Sequence, residues 1–166
     1  MMTQINQREY HLALGVYGIY APQPGMVLVI KKNQGPYANR FDLPGGTMAN
    51  YEGLSETLIR EFTEETGTHV EEFHQIGAAT FRYPWQYEQF DYNKHIAVFN
   101  LVERATGAVR SRVDQFTGQD SNGAVVVNLS ALTWENSSPL VMKAKEYLET
   151  GTFRATDDCF EEWKVL

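Results

Sequence analysis

The chain has 166 residues, which at roughly 100–200 residues per domain predicts one domain over 1–166 built around a single core. A hydrophobic share of 43% against 21% charged residues excludes wholesale disorder. The net charge of −7 argues against a nucleic-acid polymer or an anionic membrane as partner, so a phosphate-bearing partner needs a cation between it and the protein.

No apolar run approaches the ~20 residues of a membrane helix, and Arg8 and Glu9 stand where a signal peptide would carry its apolar stretch. The single cysteine, Cys159, excludes an internal disulfide and a thiolate zinc site. These features together predict a cytoplasmic protein.

Tyr10 to Tyr20 and Met26 to Ile30 read as strands, joined by a turn carrying Pro22, Pro24 and Gly25. A loop from Asn33 to Arg40 leads into Phe41-Asp42-Leu43-Pro44-Gly45-Gly46. Leu54, Leu58 and Phe62 recur at helical spacing and predict a helix from about Leu54 to Thr66, with Gly67 ending it. Ile76 to Tyr83, His95 to Val102 and Ala124 to Leu129 read as strands, with hairpin turns expected at Thr106-Gly107 and Asn122-Gly123. Ser138 as cap, Pro139 at the first helical position and Gly151 at the end bound a second helix through Leu140 to Glu149. Phe153, Phe160 and Trp163 are expected to pack the tail onto the body. The fold class is α+β with a mixed sheet.

Five glutamates, Glu52, Glu56, Glu61, Glu64 and Glu65, stand against one Arg60 in this short stretch. On a helix Glu61 and Glu65 sit roughly 40° apart and Glu64 roughly 60° from Glu61. Such like-charged neighbours cost a few tenths of a kcal/mol in an isolated helix, and Arg60 is expected to relieve Glu56 or Glu64 but not the whole group. A hard divalent cation fits, since Mg²⁺ takes oxygen ligands from one or two carboxylates, water and phosphate. The competing reading is a solvated acidic face. Upstream, Asp42-Leu43-Pro44-Gly45-Gly46 supplies a rigid proline and two glycines that let backbone approach a metal or phosphate closely.

The string Gly46, five residues, Glu52, seven residues, Arg60-Glu61-Phe62-Thr63-Glu64-Glu65-Thr66-Gly67 resembles the signature of the Nudix hydrolases, with every charged and glycine position filled. Residues used at roughly 7% each make a chance match at one place on the order of 10⁻⁸. One departure is Thr68, where the signature ends on an aliphatic residue; a small local repacking is expected. The resemblance implies an α/β/α sandwich with a mixed sheet between helices. It also implies hydrolysis of a phosphoanhydride in a nucleoside diphosphate linked to another moiety, with Mg²⁺ or Mn²⁺ as cofactor. Carried over residue by residue, Glu61 and Glu65 look like the principal metal ligands, facing the surface. Glu64 looks like a further ligand or base, and the Gly45 carbonyl like a backbone ligand. Glu52 and Arg60 look like the residues that fix the loop and orient those ligands.

In many family members the general base lies outside the signature. The candidates are Asp114, Asp120 and Glu103, with Asp120 favoured for its place before the Ala124 to Leu129 strand; the alternative is an ordinary turn aspartate. Phe81, Tyr83, Trp85, Tyr87, Phe90 and Tyr92 either stack a nucleobase or serve a core or a homodimer interface. Arg40, Arg82 and Lys94 are candidate phosphate contacts. His11, His69, His74 and His95 lack metal-ligand spacing and read as structural or surface residues, and nothing near Cys159 suggests a nucleophile. A different function class stays open alongside the hydrolase, a Nudix-like module that binds a ligand without turnover; the intact glutamates argue against it. An isomerase on the same fold is disfavoured because its catalytic cysteine falls well before the position of Cys159.

Overall fold

The computed structural model describes residues 8–166; residues 1–7, part of the stretch read above as lacking a leader, lie outside the described residues. The chain runs β1 (Tyr10–Ile19), β2 (Met26–Lys32), β3 (Phe41–Asp42), β4 (Gly45–Thr47), α1 (Leu54–Thr66), β5 (His69–Tyr87), β6 (Phe90–Thr106), β7 (Ser121–Asn128), a 3-10 turn (Leu129–Ala131), α2 (Pro139–Thr150) and β8 (Asp157–Cys159). Among the described residues no helix is long and apolar enough to cross a membrane.

The period of two along the strands sets the layers. On β2, Val27 and Val29 join one apolar cluster with Leu140, Val141 and Ala144 of α2. Leu28 and Ile30 point the other way and join Leu58 and Phe62 of α1. The β layer therefore lies between the two helices. It consists of a mixed five-stranded sheet in the order β4-β1-β6-β5-β8 and a three-stranded sheet in the order β3-β2-β7.

The helix ends agree with the sequence. Gly67 and Gly151 both cap in the left-handed region, at φ 76° and 73°. Ser138 Oγ accepts the Val141 N–H at 3.2 Å. The solvent side of α1 is wider than expected, since Leu54 is exposed while Leu58 and Phe62 are buried. Glu56 turns back to accept the Gly53 N–H at 2.8 Å and makes no pair with Arg60. Thr68 is buried, and its hydroxyl is satisfied by Thr66 Oγ1 at 2.7 Å.

Both expected hairpin turns are displaced. β5 and β6 form one long hairpin that reverses at Glu88 and Gln89, with Tyr87 opposite Phe90 and Glu88 at φ 51°. The apolar runs mark only its middle; its outer part is tied by polar cross-strand pairs such as Glu72 with Arg104, at 2.6 Å. Thr106-Gly107 merely ends β6, and Asn122-Gly123 lies inside β7. Gly123 serves a close approach, since a Cβ there would meet the Ser111 carbonyl oxygen at 2.3 Å. The tail packs as expected, with Phe153, Phe160 and Trp163 against the cluster under α2.

Candidate active site

β4 delivers Gly45 and Gly46 to the side of α1 that carries the glutamates. Gly45, at φ 146°, pairs with Tyr17 of β1, and its N–H donates to Glu65 Oε2 at 2.8 Å. Glu65 is only 1% exposed, which corrects the surface-facing ligand expected from the sequence. Its Oε1 is buried without a hydrogen-bond partner among the described residues. Burial raises its pKa well above the usual carboxylate range, and nearby Lys32 only partly offsets this. Burial also raises Glu61, against the pull of Arg60.

Arg60 does more than anticipated. Its Nη1 donates to Glu61 Oε1 at 2.8 Å and to Glu64 Oε2 at 3.2 Å, and its Nη2 donates to Glu52 Oε2 at 2.8 Å. Glu52 also accepts the Ala49 N–H at 2.9 Å and the Thr57 hydroxyl at 3.1 Å. The Arg60 bond, then the Ala49 bond, hold its carboxyl down at about 2. Glu52 thus clamps the β4–α1 loop to the helix through its bonds to Ala49 and Thr57.

Across the cleft a second acidic group gathers round one lysine. Lys32 pairs with Asp120; burial opposes its charge, but Asp42, Asp120 and Glu65 together hold its pKa raised. Asp42 accepts from Ser138 Oγ at 2.6 Å and from the Leu43 N–H at 2.9 Å. Burial nevertheless pushes its carboxyl up to about 6. Asp120, singled out from its place before β7, is brought to the cleft. The other two base candidates do not line it: Glu103 pairs with His74 at 3.4 Å on an exposed surface, and Asp114 lies exposed in the loop before β7.

Between these groups opens a cavity of about 410 Å³ lined by Lys32, Asp42, Glu61, Trp85, His95 and Asp120 among others. Strand alternation decides which aromatics reach it. Tyr83, Trp85 and Tyr87 of β5 and Asn93 and His95 of β6 line it. Phe81 and Tyr83 are essentially fully buried, so the aromatic segment is divided between core and cavity wall. Arg82 and Lys94 face each other on the opposite side of the ladder and do not line the cavity. Arg40 does not line the cavity either. It is buried, with Nη1 donating to the Trp134 carbonyl at 2.9 Å and Nη2 to the Lys164 carbonyl at 2.9 Å.

His95, expected from sequence to be a structural or surface residue, is both buried and on the cavity wall. Its Nε2 meets the Tyr17 hydroxyl and its Nδ1 the Tyr37 hydroxyl, each at 3.0 Å. Burial, then the charge of Lys32, lower its pKa to about 3. The ring is therefore neutral at pH 7, with one nitrogen donating and the other accepting. The polar wall continues through Asn93, whose Nδ2 donates to Tyr83 Oη at 2.8 Å and whose Oδ1 lies 2.9 Å from His11 Nδ1. Tyr17, Lys32, Tyr37, Asp42 and Asn93 were not singled out from sequence. The usable signal was the period-two alternation that puts Tyr83, Trp85, Asn93 and His95 on one face.

Replacing His95 by Leu leaves the hydroxyls of Tyr17 and Tyr37 without their partner and is expected to cost about 2–4 kcal/mol at pH 7. A histidine lowered from 6.5 to about 3 loses its stabilising contribution as pH falls through that interval, because only the unfolded chain takes up the proton there. The gap between wild type and variant should thus narrow from pH 7 to pH 4. Urea denaturation at the two pH values measures it, and a constant gap would mean that His95 is not held neutral.

A divalent cation fits the donor set on two observations. Glu65 Oε1 is buried and unpartnered among the described residues. Asp42 and Glu65 are both buried near Lys32, whose charge only partly offsets the cost of burying them, as a further cation would do. Among the described residues no group of three or more His, Cys, Asp or Glu side chains is gathered closely enough to hold an ion. Arg60 draws Glu61 and Glu64 to itself, and Glu65 turns to Gly45.

The NUDIX domain family model matches residues 9–146. The chain belongs to the Nudix hydrolase family. Over 57 residues it is 39% identical to the ADP-ribose pyrophosphatase of Methanocaldococcus jannaschii, a stretch covering 34% of this chain and 33% of that protein. The fold is similar to that of the MutT NUDIX hydrolase from Burkholderia pseudomallei, with a TM-score of 0.65 and 20% identity over 82% of this chain and 97% of that one. It is similar also to the NUDIX domain of Shewanella oneidensis NrtR complexed with ADP ribose, with a TM-score of 0.60 and 16% identity over 86% of this chain and 88% of that one.

Proposed function

We propose that the chain is a divalent-metal-dependent pyrophosphohydrolase that cleaves a phosphoanhydride in a nucleoside diphosphate linked to another moiety, ADP-ribose being the first compound to try. The observation that carries this reading is the buried, unpartnered Glu65 Oε1 on the helix stripe shared with Glu61, beside a cavity of nucleotide size. Glu61, Glu64 and Glu65, with the Gly45 carbonyl, would hold Mg²⁺ or Mn²⁺. When bound, the cation neutralises phosphate oxygens and makes water a stronger acid at neutral pH.

The remaining roles belong to the chain itself. Glu52 and Arg60 fix the β4–α1 loop and orient the glutamates. Lys32, the sole lysine or arginine among the cavity-lining residues, faces the diphosphate. Asp120 takes the proton of the attacking water. Trp85 and Tyr87 offer ring faces to a base.

A second reading, a module that binds such a ligand without turnover, draws support from Arg60, which already bonds Glu61 and Glu64. The test is phosphatase-coupled phosphate release across nucleoside diphosphate derivatives, including ADP-ribose, with Mg²⁺ or Mn²⁺. Calorimetric binding runs in parallel. Cation-dependent turnover that falls about 10²–10⁴-fold in Asp120→Asn supports the hydrolase and the base. Turnover unaffected by that change removes Asp120 from the chemistry. Tight binding with no turnover in either cation selects the second reading.

A further inference from the structure

The stretch matched by the family model ends at residue 146, yet the segment that follows α2 crosses back to the cavity. Trp163 Nε1 donates to the Pro36 carbonyl at 2.7 Å. The Arg40 guanidinium donates to the Lys164 carbonyl at 2.9 Å and lies 4.8 Å from the Trp163 ring centroid. Asn39 Nδ2 donates to the Leu166 carbonyl at 2.6 Å. All of these partners belong to the loop between β2 and β3. Three residues of that loop, Gly35, Pro36 and Tyr37, line the cavity.

The indole also meets the cavity wall from behind. Its ring is 5.7 Å from that of Tyr37 and 5.5 Å from that of Tyr83. Tyr37 in turn bonds His95, which bonds Tyr17. The loop is closed at its base by Asn39 N–H to the Lys32 carbonyl at 2.9 Å and Lys32 N–H to the Arg40 carbonyl at 3.1 Å, with Asn33 N–H to the Asp120 carbonyl at 2.8 Å; within its tip the ties are Ala38 N–H to Gly35 at 3.2 Å and Arg40 N–H to Tyr37 at 3.1 Å. Gly35 and Asn39 stand at φ 78° and 61°, conformations that turns adopt and that do not hold a wall rigid by themselves. Asn33 and Gln34 tie the loop's start to Asn122 and Gln119, and Arg40 ties its end to the Trp134 carbonyl, while Pro36 and Asn39 between them are held by the tail.

We propose that Trp163 is a positioning residue for substrate binding: the tail from Thr152 onward is a strap that fixes the β2–β3 loop, and through Tyr37 the shape of the cavity wall. The inference deepens the hydrolase reading and rests on it for the identity of the ligand. The side chains of the α1 glutamates bond Arg60 and Gly45 and that of Asp120 pairs with Lys32, so the strap bears first on the wall that binds the ligand. Trp163→Phe keeps a ring against Tyr37 and Tyr83 and loses only the bond to Pro36; Trp163→Ala loses both.

Hydrogen exchange and steady-state kinetics test this on the full chain. The amides of Ala38, Asn39 and Arg40 should exchange faster in Trp163→Ala, with Trp163→Phe between it and wild type. For the best substrate of the panel, KM should rise about tenfold in Trp163→Ala and about threefold in Trp163→Phe, with kcat within about twofold of wild type. Unchanged exchange at those amides overturns the strap, whatever the substrate proves to be. Faster exchange with unchanged KM overturns its role in binding, as does a fall in kcat equal to that in kcat/KM. A wild type that turns over nothing sinks the hydrolase reading, and calorimetric binding of ADP-ribose to wild type and variants then decides the strap: equal affinity overturns it, and weaker binding in Trp163→Ala supports it.

Discussion

Glu65→Gln is expected to lower turnover about a thousandfold or more while raising the melting temperature of the metal-free protein at pH 7. The activity loss follows because a metal ligand contributes several kcal/mol of charge stabilisation in the transition state, and each 1.36 kcal/mol is about tenfold in rate. The stability gain follows from burial. Glu65 is 1% exposed and its folded pKa is raised well above the carboxylate range. Between its unfolded value of 4.5 and that raised value the folded protein binds the proton more tightly. Its stabilising contribution is full below 4.5 and is lost as pH rises through the folded pKa. Above 4.5 burial of the carboxyl costs stability that a neutral amide does not, while the amide oxygen keeps the bond to the Gly45 N–H.

The wild type should therefore gain more from metal than the variant does. Saturating Mg²⁺ at a hundred times its Kd stabilises by about 2.7 kcal/mol, and Glu65→Gln should show a markedly smaller shift. Thermal melts with and without Mg²⁺, at pH 5 and pH 8, separate the contributions. Full activity in the variant, or equal metal shifts in both proteins, would remove Glu65 from the site.

The second large effect concerns two adjacent glycines with different duties. A Cβ at Gly45 would meet the Val16 carbonyl oxygen at 2.1 Å and the Tyr17 Cα at 2.7 Å, at a φ of 146° that side chains rarely adopt. Both obstacles are backbone of the neighbouring strand and cannot give way. Gly45→Ala should cost about 3–5 kcal/mol, measurable by urea denaturation. At Gly46 the nearest atom is the Glu61 carboxylate, at 2.9 Å, the movable end of a side chain. Gly46→Ala should leave the melting temperature within a few degrees, yet lower turnover about tenfold or more by displacing Glu61. Equal stability losses in the two variants would mean that Gly46 is a packing residue and does not seat Glu61.

Most of the helical framework was legible because its signals are local. Gly67 and Gly151 stop helices by their own backbone freedom, Ser138 and Pro139 start one, and Leu58 and Phe62 repeat at the spacing of a single buried stripe. The glutamate string placed Arg60, Glu61, Glu64 and Glu65 on one helix, where helix geometry alone makes them neighbours, and put Glu52 in the loop just before it. Asp120 is favoured by position alone, and it takes the fold to bring it to Lys32. The hairpin turns were missed because Asn122-Gly123 has the composition of a turn, while its glycine serves a close approach to Ser111. Arg40 reads from sequence as a candidate phosphate contact, and only the fold shows its guanidinium turned to the carbonyls of Trp134 and Lys164, far along the chain.

The family, the α+β class and the identity of the acidic stripe are legible in the chain because each rests on residues a few positions apart and on torsional preferences that act locally. It takes the tertiary structure to bury Glu65, to set His95 between two tyrosines, to pair Lys32 with Asp120 and to lay the tail against the cavity wall. Burial and charge pairing depend on residues from different strands meeting across the cleft, and those encounters are set by register and packing, which no local pattern in the chain encodes.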